Sequence, residues 1–164
     1  MRLWLGFLGA LICSAAYAEE WGIQISDDLF SGNAVATMQI GYSDGRLLQI
    51  SCQDDQQTIV RWIYQGEAYS SIEGSAAVIA FKIDDHAAHQ LFASAYQHND
   101  SYVGYKTVSN PAGIRSLLKD MATMKSKITI GASVEKFNFK ESHSYAAKNT
   151  SSTAKKYMEA CGIN

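Results

Sequence analysis

Two cysteines far apart in the chain constrain the possible folds more than any other feature of this sequence. The first, Cys52, ends the segment Arg46–Cys52, in which apolar and polar side chains alternate as in a strand with one buried face. Leu48 and Ile50 share the face of Cys52, so we expect its thiol to point into the core. The second, Cys161, falls in the apolar register of a predicted helix. A bridge between the two cysteines would fasten that helix to a central strand and close a loop of about 110 residues.

Residues 1–18 have the pattern of a secretory signal peptide. A short basic start is followed by an apolar run and by a small-residue box that ends at Ala18. The run is too short to span a bilayer permanently, because a spanning helix needs about 20 apolar residues. We expect cleavage between Ala18 and Glu19. Lipid attachment at Cys13 is disfavoured because such sites require a small residue before the cysteine, where this chain has the bulky Ile12.

Removal of this segment leaves residues 19–164 as a single exported domain that is long enough for a core of its own. The net charge changes only from −2 to −3 with the loss of Arg2, which disfavours nucleic acid as a partner and a polybasic membrane anchor. Cys52 and Cys161 remain as an even pair in an oxidising compartment, which predicts a disulfide. The alternative is a pair of buried free thiols. We expect a periplasmic or secreted protein without a permanent membrane span.

Most of this domain alternates with a period of two, which is typical of strands. Turn-forming residues, such as those at 41–45, separate the alternating segments. The segment 87–97 fits either a helix or a strand, and its position between two predicted strands favours a strand. The first seven predicted strands are 21–25, 34–40, 46–52, 58–64, 77–83, 87–97 and 102–108.

A hairpin is predicted later in the chain. Its strands are 127–130 and 134–140, and Gly131 marks the turn between them. Phe137 and Phe139 are expected to face inward. These two strands complete the predicted β-structure.

Two helices are indicated by apolar side chains at positions i, i+3, i+4 and i+7. The first follows Asn110, a favoured N-cap, and Pro111, which suits the first helical position. The second begins at Thr150 or Ser151 and is ended by Gly162. The predicted fold class is α+β and mostly β, with antiparallel sandwich-like sheets, two helices, and the C-terminal helix tied to a core strand by the disulfide. The two apolar stripes are Ile114, Leu117, Leu118 and Met121, and Ala154, Tyr157, Met158 and Cys161.

His86 and His89 are the strongest candidates for a metal site, since Asp84 and Asp85 precede them directly. Two histidines three residues apart meet on one face of a helix and could bind a divalent cation. A metal site nevertheless needs three or four converging ligands, and a strand would direct the two rings to opposite faces. We favour the alternative, a solvated turn at the end of a strand.

His98 and His143 are isolated in the sequence. The chain contains neither the Gly-x-Ser-x-Gly nucleophile motif nor a His-Glu-x-x-His pair. A triad assembled only by the fold stays open as an alternative. We therefore predict no catalytic residue, no cofactor and no metal ligand.

Five tyrosines cluster in the middle third of the chain among small polar residues. Amphipathic aromatic side chains in such surroundings suit a contact surface for a protein or a glycan. The alternative, which we favour, is that they fill a small β core with their hydroxyl groups at its rim. The five are Tyr64, Tyr69, Tyr96, Tyr102 and Tyr105.

The order of these motifs resembles the VasI/TagO type, a family of small exported proteins associated with type VI secretion. The matching features are Trp21 in the opening strand, Leu48-Gln49-Ile50-Ser51-Cys52, the apolar strand 58–64, Ile83-Asp84, the helix after Pro111, Phe137-Asn138-Phe139 and Ala160-Cys161-Gly162. This chain departs from the family in having Ile163 in place of an aromatic residue and an additional polar stretch at 142–149. The resemblance implies a periplasmic accessory protein without an assigned catalytic residue.

Three functions follow as hypotheses. The first is a non-enzymatic periplasmic accessory protein that binds a component of a secretion system or another envelope protein. The second is an exported inhibitor or immunity-like protein that blocks a hydrolase with a loop, either 65–75 or 98–102. The third is a small hydrolase that uses His86 or His98 with nearby acidic residues. The first is the function we expect.

Overall fold

The computed structural model describes residues 20–41, 45–53, 57–66, 72–108, 110–146 and 148–164. The predicted signal peptide, with its cleavage site between Ala18 and Glu19, lies outside the described residues, as does Tyr69.

Nine strands and two helices make up these ranges, which confirms the mostly-β α+β class. The strands form one antiparallel sheet in the order β1-β2-β3-β4-β7-β6-β5-β8-β9. This sheet curls, so the two layers expected of a sandwich come from one continuous sheet. The elements are β1 Gly22–Asp27, β2 Ala34–Gly41, β3 Arg46–Cys52, β4 Thr58–Gln65, β5 Ala76–Ile83, β6 His89–Asn99, β7 Tyr102–Thr107, α1 Pro111–Met121, β8 Lys127–Val134, β9 Phe139–Ala146 and α2 Thr150–Ala160.

The inner face of the curled sheet forms the core. Every second side chain along a strand points to this face, and these side chains are mostly apolar. The two helices cover the face. Helix α2 packs against β1 and β2, and α1 packs against β4, β5, β6 and α2. Fully buried inner-face side chains include Met38, Leu48, Ile50, Val60, Trp62, Ile79, Phe81 and Leu91.

The predicted hairpin around Gly131 is wrong. Strand β8 runs through Gly131 without a turn, and β9 continues to Ala146, over most of the polar stretch 142–149. A Cβ atom at Gly131 would lie 3.1 Å from the carbonyl oxygen of Glu141, so this glycine permits close pairing of two strands. The chain turns instead through a short 3-10 helix that ends at Asn138, whose φ is 49°. This turn leaves Phe137 40% exposed, contrary to prediction, whereas Phe139 packs against the core as predicted.

Both predicted helix boundaries are confirmed. The side chain of Asn110 accepts a hydrogen bond from the Gly113 N–H at 3.0 Å, and Pro111 is the first residue of α1. Helix α2 begins at Thr150. Gly162 follows its C-cap with a φ of 61°, and the next N–H donates to the Met158 carbonyl at 2.9 Å. This is the glycine-dependent helix end that the sequence predicts.

The predicted disulfide is confirmed. Cys52 and Cys161 are bonded, with their Cα atoms 6.1 Å apart, and each residue is only 3% exposed. The bond joins the end of β3 to the C-cap of α2 across 109 residues of sequence. It fastens the covering helix to the middle of one half of the sheet.

Candidate functional site

His86 and His89 meet at one carboxylate. Nδ1 of His86 lies 3.0 Å from Oδ1 of Asp120, and Nε2 of His89 lies 2.7 Å from Oδ2 of the same group. The two rings can meet because His86 lies in the turn that follows β5, as the favoured interpretation predicted, so strand alternation does not apply to this pair. Asp120 belongs to the last turn of α1, so this cluster joins the turn to the helix. Sequence reasoning missed Asp120, because no local pattern connects this helix residue to a histidine 31 positions earlier in the chain.

Two opposing effects determine the pKa of Asp120. Burial raises the pKa of its carboxyl group, but the hydrogen bonds with His89 and His86 outweigh burial and lower the pKa overall. Each imidazole uses one ring nitrogen in this contact. Within the described part of the chain, no hydroxyl or thiol hydrogen-bonds to either ring, and no three metal-binding side chains are grouped closely enough to hold an ion. The arrangement is suited to fastening the turn to α1.

A second carboxylate, that of Asp84, holds the same turn from its other side. It accepts hydrogen bonds from three successive backbone N–H groups, those of Lys125 at 2.7 Å and of Ser126 and Lys127 at 2.9 Å. The bonds from Lys125 and Lys127 contribute most to lowering its pKa. Its φ is 43°, a left-handed conformation that aspartate tolerates. The turn is therefore a rigid connection between the end of β5 and the start of β8.

The other two histidines lie elsewhere. His98 is exposed near the end of β6, where its ring meets Tyr96 edge-on with the centroids 6.1 Å apart. His143 lies on β9, with its ring centroid 4.6 Å from that of Tyr145. The structure thus brings His86 and His89 together and places His98 and His143 beside other aromatic rings.

The tyrosines divide between the two faces of the sheet. Tyr64 and Tyr105 stack with centroids 5.9 Å apart on the inner face, and Phe139 of β9 stacks on Tyr64 at 5.8 Å. Tyr105 is fully buried, and this burial raises the pKa of its hydroxyl group. Tyr96 and Tyr102 lie on the outer face. These four tyrosines therefore do not form one contact surface. Tyr64 and Tyr105 are part of the core, as the favoured interpretation predicted.

An ion pair closes the curl of the sheet beside this aromatic stack. Nη2 and Nε of Arg46 on β3 lie 2.7 and 2.9 Å from Oε1 of Glu141 on β9. Strand β3 is third and β9 is last in the order of the sheet, so this ion pair links two distant parts of the sheet. Both side chains are partly exposed.

Among the described residues, the most exposed large apolar side chains lie together at the tip of the β1–β2 hairpin. Leu29 is 94% exposed and Phe30 is 98% exposed, although both are large and apolar. Single exposed apolar residues are ordinary on protein surfaces, but two adjacent and almost fully exposed ones at a loop tip are a mark of an interaction site.

The backbone of this tip is fixed by hydrogen bonds. Oδ1 of Asp28 accepts the N–H of Phe30 at 2.9 Å and that of Ser31 at 2.7 Å. The Asp28 N–H donates to the Asn33 carbonyl, and the Gly32 N–H donates to the Asp28 carbonyl, both at 2.9 Å. The bond from the Ser31 backbone is the largest cause of the lowered pKa of Asp28. Because the loop is held in this conformation, its two apolar side chains are presented outward.

Sequence reasoning does not identify this tip, because it lies between the predicted strands 21–25 and 34–40 and has no periodic pattern. The available signal was an adjacent Leu-Phe pair enclosed by turn-forming Asp28 and Ser31-Gly32.

Neither of the described helices has the length and apolar composition needed to cross a membrane. Comparison with protein-family models, curated proteins and solved structures finds no match to this chain. The resemblance to the VasI/TagO type therefore stays a prediction.

Proposed function

We propose that this protein is an exported, non-enzymatic accessory protein that binds another envelope protein through Leu29 and Phe30. The observation that carries the proposal is the near-complete exposure of these two side chains on a loop whose backbone is fixed. Burial of a large apolar side chain contributes about 1.5–3 kcal/mol, and here this contribution is available to a partner. A preordered loop also loses little conformational entropy on binding.

The charge around the tip favours a protein partner over a lipid surface. Between Glu20 and Gly45 the sequence contains four acidic residues and no lysine or arginine. Peripheral insertion into an anionic membrane depends on basic residues beside the apolar ones, and these are absent from the hairpin sequence. We infer that the partner offers an apolar pocket with basic groups at its rim, opposite Asp27 and Asp28.

The exported location is part of the proposal. A buried disulfide forms and persists in oxidising compartments, which supports export. The VasI/TagO resemblance suggests that the partner belongs to a type VI secretion apparatus. Genes for such an apparatus beside this gene would support that assignment.

A protruding apolar loop also suits an inhibitor that enters the cleft of a hydrolase. Under this second candidate function the blocking loop is the Leu29–Phe30 tip, in place of the loops 65–75 or 98–102 named from the sequence. Only part of the first of those loops lies in the described residues, and the second is a tight β6–β7 turn. A neighbouring effector gene and inhibition of its product would favour this function.

The test is site-specific photo-crosslinking in the native host. A photoreactive phenylalanine derivative at position 30 should yield an adduct with one envelope protein. The same derivative at Phe92, which is 71% exposed on the outer face, is the matched control and should yield no such adduct.

The affinity of the purified partner provides a second measurement. The Leu29→Ser/Phe30→Ser variant should bind this partner about a hundredfold more weakly, because two apolar side chains that the complex would bury are lost.

Three outcomes would contradict the proposal. Equal crosslinking from positions 30 and 92 would indicate nonspecific contact. Sedimentation with phospholipid vesicles that depends on Leu29 and Phe30 would make the tip a membrane anchor. Turnover of a substrate by the purified protein, lost on substitution of His89, would make it an enzyme.

A further inference from the structure

The outer face of the sheet, opposite the helices, carries a band of polar side chains across five strands. Cross-strand register places Gln49 of β3 beside Arg61 of β4, Arg61 beside Lys106 of β7, and Lys106 beside Ser94 of β6. Because paired residues share a face, these side chains project to the same side. The band continues over β2 through Thr37, which pairs with Ser51.

Arg61 is half-buried and has only neutral partners. Its Nη1 donates to Oγ of Ser51 at 2.8 Å and lies 3.4 Å from Oε1 of Gln49. Lys106 is exposed and lies directly opposite Arg61 in the strand pairing. Among the described residues, no carboxylate is within ion-pair distance of either cation. Two like charges directly opposite each other destabilise a sheet, so this pair costs stability unless an anion compensates it.

An open groove of about 540 Å³ is lined in part by Arg61. The lining is mostly polar and neutral, and the one carboxylate in the wall, Asp28, is engaged by the backbone of its own loop. The lining residues are Asp28, Val35, Thr37, Gln49, Ser51, Cys52, Gln53 and Arg61.

Tyr96 borders this area from β6. Its ring lies over Gly104, where an added Cβ would come within 2.5 Å of the ring atoms. Its hydroxyl is buried and has no hydrogen-bond partner among the described residues. The positive charge of Arg61 opposes the rise in the pKa of Tyr96 that burial causes.

We propose that this groove binds a hydroxyl-rich small molecule with one anionic group, that is, a sugar acid or a sugar phosphate. The anionic group would lie between Arg61 and Lys106, because the planar guanidinium matches both carboxylate and phosphate. The sugar hydroxyls would hydrogen-bond to Gln49, Ser51 and Thr37. An acidic peptide is a poorer fit, because proteins recognise acidic motifs with clusters of arginines, and the lining contains one arginine among mostly neutral polar side chains.

The binding test is an NMR titration of the isotope-labelled mature protein with four probes: glucuronate, glucose 6-phosphate, glucose, and the tripeptide Gly-Asp-Gly. Either or both anionic sugars should cause saturable shifts of the backbone signals of Ser51, Arg61 and Lys106, and the tighter one identifies the anion. Glucose should bind at least tenfold more weakly than the tighter anionic sugar. Equal binding of glucose would overturn the role of charge, and tighter binding of the tripeptide would overturn the ligand class.

Variants separate this site from general attraction to positive charge. Arg61→Gln should weaken binding of the tighter anionic sugar at least tenfold, Lys106→Gln several-fold, and Arg61→Lys less than Arg61→Gln. Lys140→Gln is the matched control, because Lys140 is exposed on the same face of β9 but lies opposite the neutral Ser133. Its affinity should be unchanged. Absence of saturable shifts with both anionic sugars, or retained binding in a folded Arg61→Gln variant, would overturn the proposal.

Discussion

Single carboxylates determine how the β5–β6 turn is held. Asp84 accepts three backbone N–H groups from the start of β8, and Asp120 receives the rings of His86 and His89. Hydrogen bonds to an ionised group are stronger than those between neutral groups. Asp84, His86 and His89, which resemble metal ligands in the sequence, therefore serve to position a turn against a helix and a strand.

Replacement of Asp84 tests this role. Asp84→Ala should lower the free energy of unfolding by about 1–3 kcal/mol, because three N–H groups lose their shared acceptor. Asp84→Asn should cost less, since asparagine keeps one acceptor oxygen and tolerates a positive φ. Urea unfolding at pH 7 measures both. Asp85→Ala, a change at the exposed neighbouring carboxylate, is the control and should have little effect.

The contribution of Asp84 also depends on pH, with a defined sign. Its pKa is lower in the folded protein than its ordinary value, so the stabilisation is fully present above the unfolded pKa of about 4. It is lost as the pH falls through the lowered folded pKa. The stability difference between the native protein and Asp84→Asn should therefore shrink below pH 4. A difference that is constant between pH 7 and pH 3 would contradict the role of the charge.

At the scale of elements, hydrophobic period and end signals predicted most of the fold. Seven strands and both helices were predicted near their observed positions, because each had a regular apolar pattern or a recognised N-cap or glycine end. The 127–146 region was partly mispredicted. In the sequence, Gly131 resembles a turn residue. In the structure it allows β8 and β9 to pair closely, and this requirement is visible only in three dimensions.

The contacts of the candidate sites were harder to predict than the elements for a similar reason. Asp120 and the two histidines meet through tertiary structure, and Arg61 and Lys106 meet through strand register between non-consecutive strands. Neither contact has a periodic signature. The Leu29–Phe30 tip is local, yet exposure cannot be distinguished from burial by residue type alone.

The contact between Tyr96 and Gly104 provides a test of packing between β6 and β7. Gly104→Ala places a methyl group within 2.5 Å of the Tyr96 ring, so the ring must move or the strands must separate. We expect a loss of about 1–3 kcal/mol in the free energy of unfolding. Thermal or urea unfolding measures it.

A second substitution shows whether that loss arises from the ring. In the Tyr96→Ala background, Gly104→Ala should cost much less, because the methyl group then occupies space vacated by the ring. The two changes should therefore be strongly non-additive in a double-mutant cycle. Additive losses would mean that Gly104 is required for its backbone conformation and not for the close approach of Tyr96.

The whole molecule is a single curled sheet whose two ends are held by contacts distant in sequence. Arg46 and Glu141 link β3 to β9, and Phe139 stacks on Tyr64 at the same end of the sheet. The disulfide fastens α2 to β3. A sheet of this kind has many non-local pairings, so closing the chain costs substantial entropy. Cross-links that span most of the domain are effective against that cost.

The disulfide should therefore contribute strongly to global stability. Because the bond spans 109 residues, the chain-entropy estimate for a loop of this size is about 4–5 kcal/mol, and removal of native disulfides generally costs about 2–5 kcal/mol. The Cys52→Ala/Cys161→Ala variant should lose this amount in urea unfolding, and the native protein should lose a similar amount when reduced. The oxidised mature protein should also be lighter than the reduced form by two hydrogen atoms. Full alkylation without a reductant, or an unfolding midpoint that reduction leaves unchanged, would contradict a bond that holds the last helix against the sheet.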